Sequence, residues 1–140
     1  MTSSYTAPDE AMMRPVERIA RFMATLDMAH LESAFVDEGV TIFENFAPHV
    51  FAGADAVARW SELFGAHASG LSDLKHSFGP AQDFHLDGSI AYFALPTTWS
   101  GFSGGRAFRE TGGWSFVLTR QTAEWRVKAY GWTVTSYEKI

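Results

Sequence analysis

The chain has 140 residues, of which 46% are hydrophobic and 15% aromatic, with 12 Phe and 5 Trp. Its net charge is −5 and it has no long run of Lys or Arg, which excludes the basic footprint of a nucleic-acid partner. Cys is absent, which excludes a disulfide framework, a thiol nucleophile and a thiolate metal site. No apolar stretch is as long as a membrane span, and no basic segment followed by an apolar run opens the chain, so a cytoplasmic location is expected. A chain of this size can hold both a core and a cavity, and large rings serve either.

Residues 1–13 read as a flexible tail and 14–140 as one domain. Pro15 suits a first helical turn, and Val16, Ile19, Phe22, Met23 and Leu26 follow at helical spacing, predicting a helix from Pro15 to Met28. A shorter helix over His30 to Val36 would bury Leu31, Ala34 and Phe35, with Gly39 as the left-handed residue that follows. A strand from Val40 to Phe46 comes next, broken or bent at Pro48. Gly53 precedes a third helix, Ala54 to Ala68, with Val57, Trp60 and Phe64 as its apolar stripe. The remainder reads as strands: 74–86 interrupted at Gly79-Pro80, 90–100, 106–120 with a bulge at Gly112-Gly113, and 125–135. Asp87-Gly88 is a hairpin signal. Three helices ahead of a meander predict an α+β fold, with the helices packed on one face of a strongly curved, mostly antiparallel sheet that forms a cone with an open mouth.

Glu44 is the residue with the clearest chemical content. Strand side chains alternate, so Val40, Ile42, Glu44 and Phe46 share a face, and that face should be the buried one. A carboxylate among hydrophobes is either unpaired and reactive or protonated, or paired and structural. The pairing alternatives are Arg109 and Arg126, and a bulge that turns Glu44 to solvent is a third reading.

The landmarks in order are Arg21-Phe22 and Leu26, His30-Leu31-Glu32-Ser33-Ala34-Phe35, the strand leading to Pro48, Gly53-Ala54-Asp55-Ala56-Val57, and Trp125-Arg126-Val127 followed by Trp132. Over about residues 14–135 this chain resembles the NTF2-like superfamily, in particular its SnoaL-like and ketosteroid-isomerase-like branches. The resemblance implies a cone-shaped NTF2-like fold, a small apolar molecule in the cavity, no cofactor, no metal and a homodimer through the outer sheet face. In ketosteroid isomerases the catalytic Asp stands nine residues before the Gly of the third helix, and Glu44 stands nine residues before Gly53. The isomerase Tyr on the first helix falls on Phe22, and its protonated Asp falls near Ser115 to Val117, neither of which repeats the family's donor.

Glu44 is therefore a candidate general base, since apolar walls raise a carboxyl pKa toward the working range. His76 shares a strand face with Leu74 and Phe78 and would form an acid–base pair if it met Glu44. The alternative is a hydrogen-bonded core His. His30, His67 and His85 sit in polar contexts and read as surface residues, and the five His show no metal-binding spacing. Of Arg109 and Glu110 only one can face inward. An inward Arg109 would bind an anionic group, and the alternative is an exposed strand charge. Candidate ligand-lining residues are Phe22, Phe46, Trp60, Phe64, Tyr92, Arg109, Trp114 and Phe116, with Trp60 and Tyr92 preferred as amphipathic rings. Trp99 and Trp132 are alternatively placed on the outer face, where a symmetric dimer would cover them. Gly101-Phe102-Ser103-Gly104-Gly105 matches a G-x-S-x-G motif, but it lies between strands and reads as a loop. Two functions fit: a cofactor-independent isomerase, cyclase or dehydratase with Glu44 as base on an apolar carbonyl substrate, or a non-catalytic ligand-binding or dimeric interaction module.

Overall fold

The computed structural model describes residues 7–140. The described chain is an α+β fold with two α-helices, α1 (Glu10–Thr25) and α2 (Ala56–His67), and a curved, open sheet. Its strands are β1 (Thr41–Phe43), β2 (Val50–Ala52), β3 (Leu71–Phe78), β4 (Gln82–Asp87), β5 (Ile90–Ser103), β6 (Arg106–Gln121) and β7 (Glu124–Lys139). The order is β2-β1-β7-β6-β5-β3, and β4 also pairs with β5. Every pairing is antiparallel except β1 with β7. The predicted break at Gly79-Pro80 divides β3 from β4, which occupy successive stretches of one edge of β5. There the Gly79 N–H donates to the Pro96 carbonyl at 2.7 Å. No helix among the described residues is long and apolar enough to cross a membrane.

Alternation builds the inner face. On β5 Ala91, Phe93, Leu95, Thr97 and Trp99 are buried, and on β6 Phe108, Trp114, Phe116 and Leu118 are. Burying each Leu- or Phe-sized side chain stabilises the fold by about 1.5–3 kcal/mol. Helix α1 lies over β3 and β7, and α2 lies over β1 and β2. Val16, Ile19, Ala20, Phe22 and Met23 form the buried stripe of α1.

The chain departs from expectation at its N-terminal half. Helix α1 starts at Glu10, capped by Asp9, whose side chain accepts from the Met12 N–H at 2.9 Å. Pro15 therefore lies inside the helix rather than in its first turn, and residues 10–13 are not a tail. Residues 1–6 of that expected tail lie outside the described residues. The expected second helix is instead a single 3-10 turn, Met28–Leu31. Ser33 then takes a positive φ of 64°, and the Val36 N–H donates to the Val127 carbonyl at 3.0 Å. The backbone groups that a helix would have satisfied internally are used to pair with β7, while Leu31, Ala34 and Phe35 are buried as predicted. The β2 strand was not legible as one, because three residues after Pro48 are too few to show a period. Gly112 sits at the expected bulge, where a Cβ would lie 2.2 Å from the Thr133 carbonyl oxygen, so only glycine fits.

Candidate active site

Glu44 lies just past the end of β1 and keeps the alternation of that strand, so it follows Val40 and Ile42 into the interior. The turn that follows fixes it. The Glu44 N–H donates to the His49 carbonyl at 3.0 Å, and the His49 N–H donates to the Phe46 carbonyl at 2.8 Å. The His49 ring nitrogen Nδ1 lies 2.9 Å from the Glu44 carbonyl, which accepts from it. The Ala47–Pro48 peptide within this turn is cis.

The Glu44 side chain is only 7% exposed. The Trp60 indole N–H donates to its Oε2 at 3.0 Å, and the Tyr130 hydroxyl donates to the same oxygen. Neither of these donors engages Oε1. Arg109 and Arg126 are elsewhere: Arg109 pairs with Glu138 at 2.7 Å, and Arg126 meets Asp37 at 3.3 Å and Glu124 at 3.5 Å. The pairing expectation is thus corrected. The carboxyl is held by neutral donors, because Arg109 points to the outer face and Arg126 serves the surface at the other end of β7.

The balance at Glu44 favours the neutral acid more than in water. Hydrogen bonds to a charged group contribute about 1.5–3 kcal/mol each, whereas burying an ion costs several kcal/mol. Burial wins and raises the Glu44 pKa, opposed by the Tyr130 and Trp60 hydrogen bonds and reinforced by the charge of Glu110. Burial and the adjacent Glu44 charge push the Tyr130 hydroxyl well up, so Tyr130 stays protonated and remains a donor.

Glu44 opens onto a cavity of about 310 Å³. Met23 of α1, Phe64 and His67 of α2, and Asn45 and Phe46 of the turn line one side. Leu71, Leu74, Trp99, Ser103, Phe108, Glu110, Trp114, Trp132 and Tyr137 line the sheet side. Glu110 is half-buried, and burial raises its pKa, with the Trp132 indole acting in the opposite direction. His67 is exposed at the rim as expected, yet it also edges the cavity. It stacks on Phe46 at 4.8 Å between ring centres, and its partial burial lowers its pKa.

Of the residues proposed from sequence, Glu44, Phe46, Phe64 and Trp114 come together at this cavity. Trp60 is fully buried behind Glu44, packed on Phe22, Phe35 and Tyr130, and acts as a hydrogen-bond donor rather than a wall. Phe22 and Phe116 are core residues that do not reach the cavity. Further placements are corrections. His76 bonds Glu17 of α1 at 3.1 Å and does not meet Glu44, since α1 covers that part of β3. Tyr92 is 39% exposed on the outer face, because Ala91 and Phe93 hold the inward parity of β5. Arg109 is on the outer face for the same reason, and its neighbour Glu110 enters instead. Trp99 and Trp132 line the cavity rather than the outer face.

Sequence reasoning missed Tyr130, Glu110 and Asn45. Glu110 had a readable signal, since it shares parity with Phe108, Trp114 and Phe116. Tyr130 had none, because two irregularities in the β6–β7 register change which residues of β7 face inward. Among the described residues no group of three or more His, Cys, Asp or Glu side chains is placed to hold a metal ion.

No protein-family model and no curated protein matches the sequence. Solved structures do match its shape. The hexachlorocyclohexane dehydrochlorinase LinA-type3 from Novosphingobium barchaimii superposes with a TM-score of 0.77 at 8% identity, over 93% of this chain and 88% of that one. An NTF2-like superfamily protein from Salmonella enterica gives 0.70 at 14% identity, over 87% of each chain. A candidate ketosteroid isomerase from Shewanella frigidimarina gives 0.69 at 17% identity, over 89% of this chain and 96% of that one.

Proposed function

From the premise that this chain has the NTF2-like fold, we propose that it binds a small, largely apolar molecule in the cavity and removes a proton from carbon, with Glu44 Oε1 as the base. The observation that carries this reading is a buried carboxyl that among the described residues has neutral donors and no cationic partner, on the wall of a ring-lined hollow. A base must be positioned before its pKa matters, and Trp60 and Tyr130 supply that positioning. The raised pKa makes Glu44 a stronger base than a solvated carboxylate.

In the proposed step a C–H bond next to a carbonyl breaks. The proton passes to Oε1, and the electron pair moves onto the carbonyl oxygen as an enol or enolate. Return of the proton at another carbon is an isomerisation, and loss of a leaving group from the next carbon is an elimination. The neutral His67 ring and the Ser103 hydroxyl are the candidate donors to the carbonyl oxygen. Dehydrochlorination and ketosteroid isomerisation, the activities named for two structures of this fold, both require loss of a proton from carbon. A likeness of fold alone does not assign either activity to this chain.

The test is exchange of carbon-bound hydrogen. A panel of small cyclic ketones is incubated with the protein in D2O and followed by proton NMR. Wild type should exchange the protons next to the carbonyl, and Glu44→Gln should slow this by about 10²–10⁴-fold. Equal exchange by the variant would remove Glu44 from the mechanism. The second reading, a non-catalytic binding module, is favoured by one observation. Among the described residues no Lys or Arg lines the cavity to stabilise an enolate. It predicts ligand binding with no exchange by either protein.

A further inference from the structure

We propose that the guest of this cavity is a cation: an organic amine, protonated or quaternary, with a hydrocarbon body. The inference rests on the pocket reading above and specifies its ligand class. Among the described residues Glu44 and Glu110 are the carboxyl groups on the wall, and neither Lys nor Arg lines it. His67, the one other titratable base on the wall, is held toward its neutral form by partial burial. The hollow is therefore negative or neutral and offers an anionic guest no counter-charge.

An uncharged apolar guest would strip water from both carboxyl groups and leave them only neutral donors, Trp60 and Tyr130 at Glu44 and Trp132 at Glu110, with no counter-charge, which is unfavourable. A cation removes that penalty. Glu110 is the group that would receive it, because Glu44 Oε2 already accepts from Trp60 and Tyr130. The residues directly across from Glu110 on the neighbouring strands are Trp99 of β5 and Tyr137 of β7. Cross-strand partners point to the same face, and Trp99, Tyr137 and Trp132 all line the cavity with Glu110. A carboxylate with aromatic side chains beside it is the chemistry that binds an ammonium group: the charge meets the carboxylate and the methyl groups meet the rings. The rest of the guest would lie against Phe46 and Phe64, toward Glu44. An ammonium group on the substrate would also lower the energy of an enolate formed beside Glu44, where the protein itself provides no cation.

The test uses two probes of equal shape, benzyltrimethylammonium and neopentylbenzene, titrated into the full chain. Binding is read from the fluorescence of the cavity tryptophans Trp99, Trp114 and Trp132. The ammonium should bind at least about tenfold tighter than its carbon isostere. In Glu110→Gln, checked for native folding by circular dichroism, that preference should collapse, because the ammonium loses its carboxylate and the isostere no longer strips water from a charge. Equal or tighter binding of the isostere by wild type would overturn the cation assignment and leave the cavity reading intact. A preference that survives in Glu110→Gln would overturn the role of Glu110. Binding of neither probe would overturn the cavity reading as well. Failure of Glu44 as a base appears only in the exchange assay and leaves this ratio unchanged.

Discussion

The two ends of β6 share one alternation and reach different outcomes. Toward its C-terminal end, inward Phe116 and Leu118 pack against Phe93, Val127 and Tyr130 in a dry core. Toward its N-terminal end, inward Phe108 and Glu110 face the hollow, with Trp99, Trp132 and Tyr137 beside them. Both stretches obey the same period of two, so the period assigns a face and says nothing about what fills it. The filling comes from the opposing layer. Phe35 and Val36, beside β7, close the packed end. At the other end the edges of α1 and α2, through Met23, Phe64 and His67, reach across together with Asn45 and Phe46 of the turn after β1. Glu44 stands at the boundary: its donors Trp60 and Tyr130 are buried in the packed part, and Glu44 itself lines the open part.

The largest effect expected on that boundary comes from removing its donors. Tyr130→Phe and Trp60→Phe should each destabilise the fold by about 1.5–3 kcal/mol in urea unfolding, because each deletes a hydrogen bond to a buried carboxyl. Each should also raise the Glu44 pKa further, since both bonds lower it. Tyr130→Phe with wild-type stability would mean that the boundary is not held as described.

A second, smaller effect separates the acids from the rest of the molecule by pH. Glu44 and Glu110 are both raised above the ordinary value of 4.5. Between that value and their native midpoints, the folded state binds more protons than the unfolded state. Stability should therefore fall as pH rises through this window, the reverse of the usual salt-bridged carboxylate. Proton abstraction needs the ionised form, so the exchange rate should rise over the same window. Thermal melts of wild type and Glu44→Gln across the window check the sign: the variant should show the shallower fall.

The smallest effect belongs to the outer face. Arg109→Ala breaks an exposed ion pair with Glu138, whose two side chains are both about half exposed. It should change stability by less than about 1 kcal/mol and leave ligand binding unaltered. A large loss of binding would return Arg109 to the cavity.

What the sequence disclosed follows the same division. The buried face of Glu44 was legible because Val40, Ile42 and Phe46 flank it without a break in register. Arg109 was a candidate lining residue with an exposed strand charge as its alternative, and the structure places it there; parity on β6 would have selected Glu110 through Phe108, Trp114 and Phe116. Tyr92 was chosen for its amphipathic ring, whereas the parity of β5, set by Phe93 and Leu95, turns it outward. On β7 parity itself misleads. Trp125 and Val127 face inward at odd positions, Tyr130 faces inward at an even one, and Tyr137 lines the cavity at an odd one again. The register shifts opposite Val117 and Thr111 account for both changes of phase. No periodic reading could have placed Tyr130 on the carboxyl. Trp60 was read as a wall of the cavity; it is buried behind Glu44 instead, and its place on the apolar stripe of its helix did not reveal that its N–H had a specific acceptor.

The central claim is that Glu44 is a buried carboxyl whose charge no cation offsets. Its side-chain carbon can be titrated by NMR in protein labelled at glutamate, with Glu44→Gln identifying the signal. The account predicts a midpoint above 4.5, the ordinary value for this side chain. A midpoint at or below it would show a carboxylate stabilised by solvent or by a positive charge, and would contradict the account.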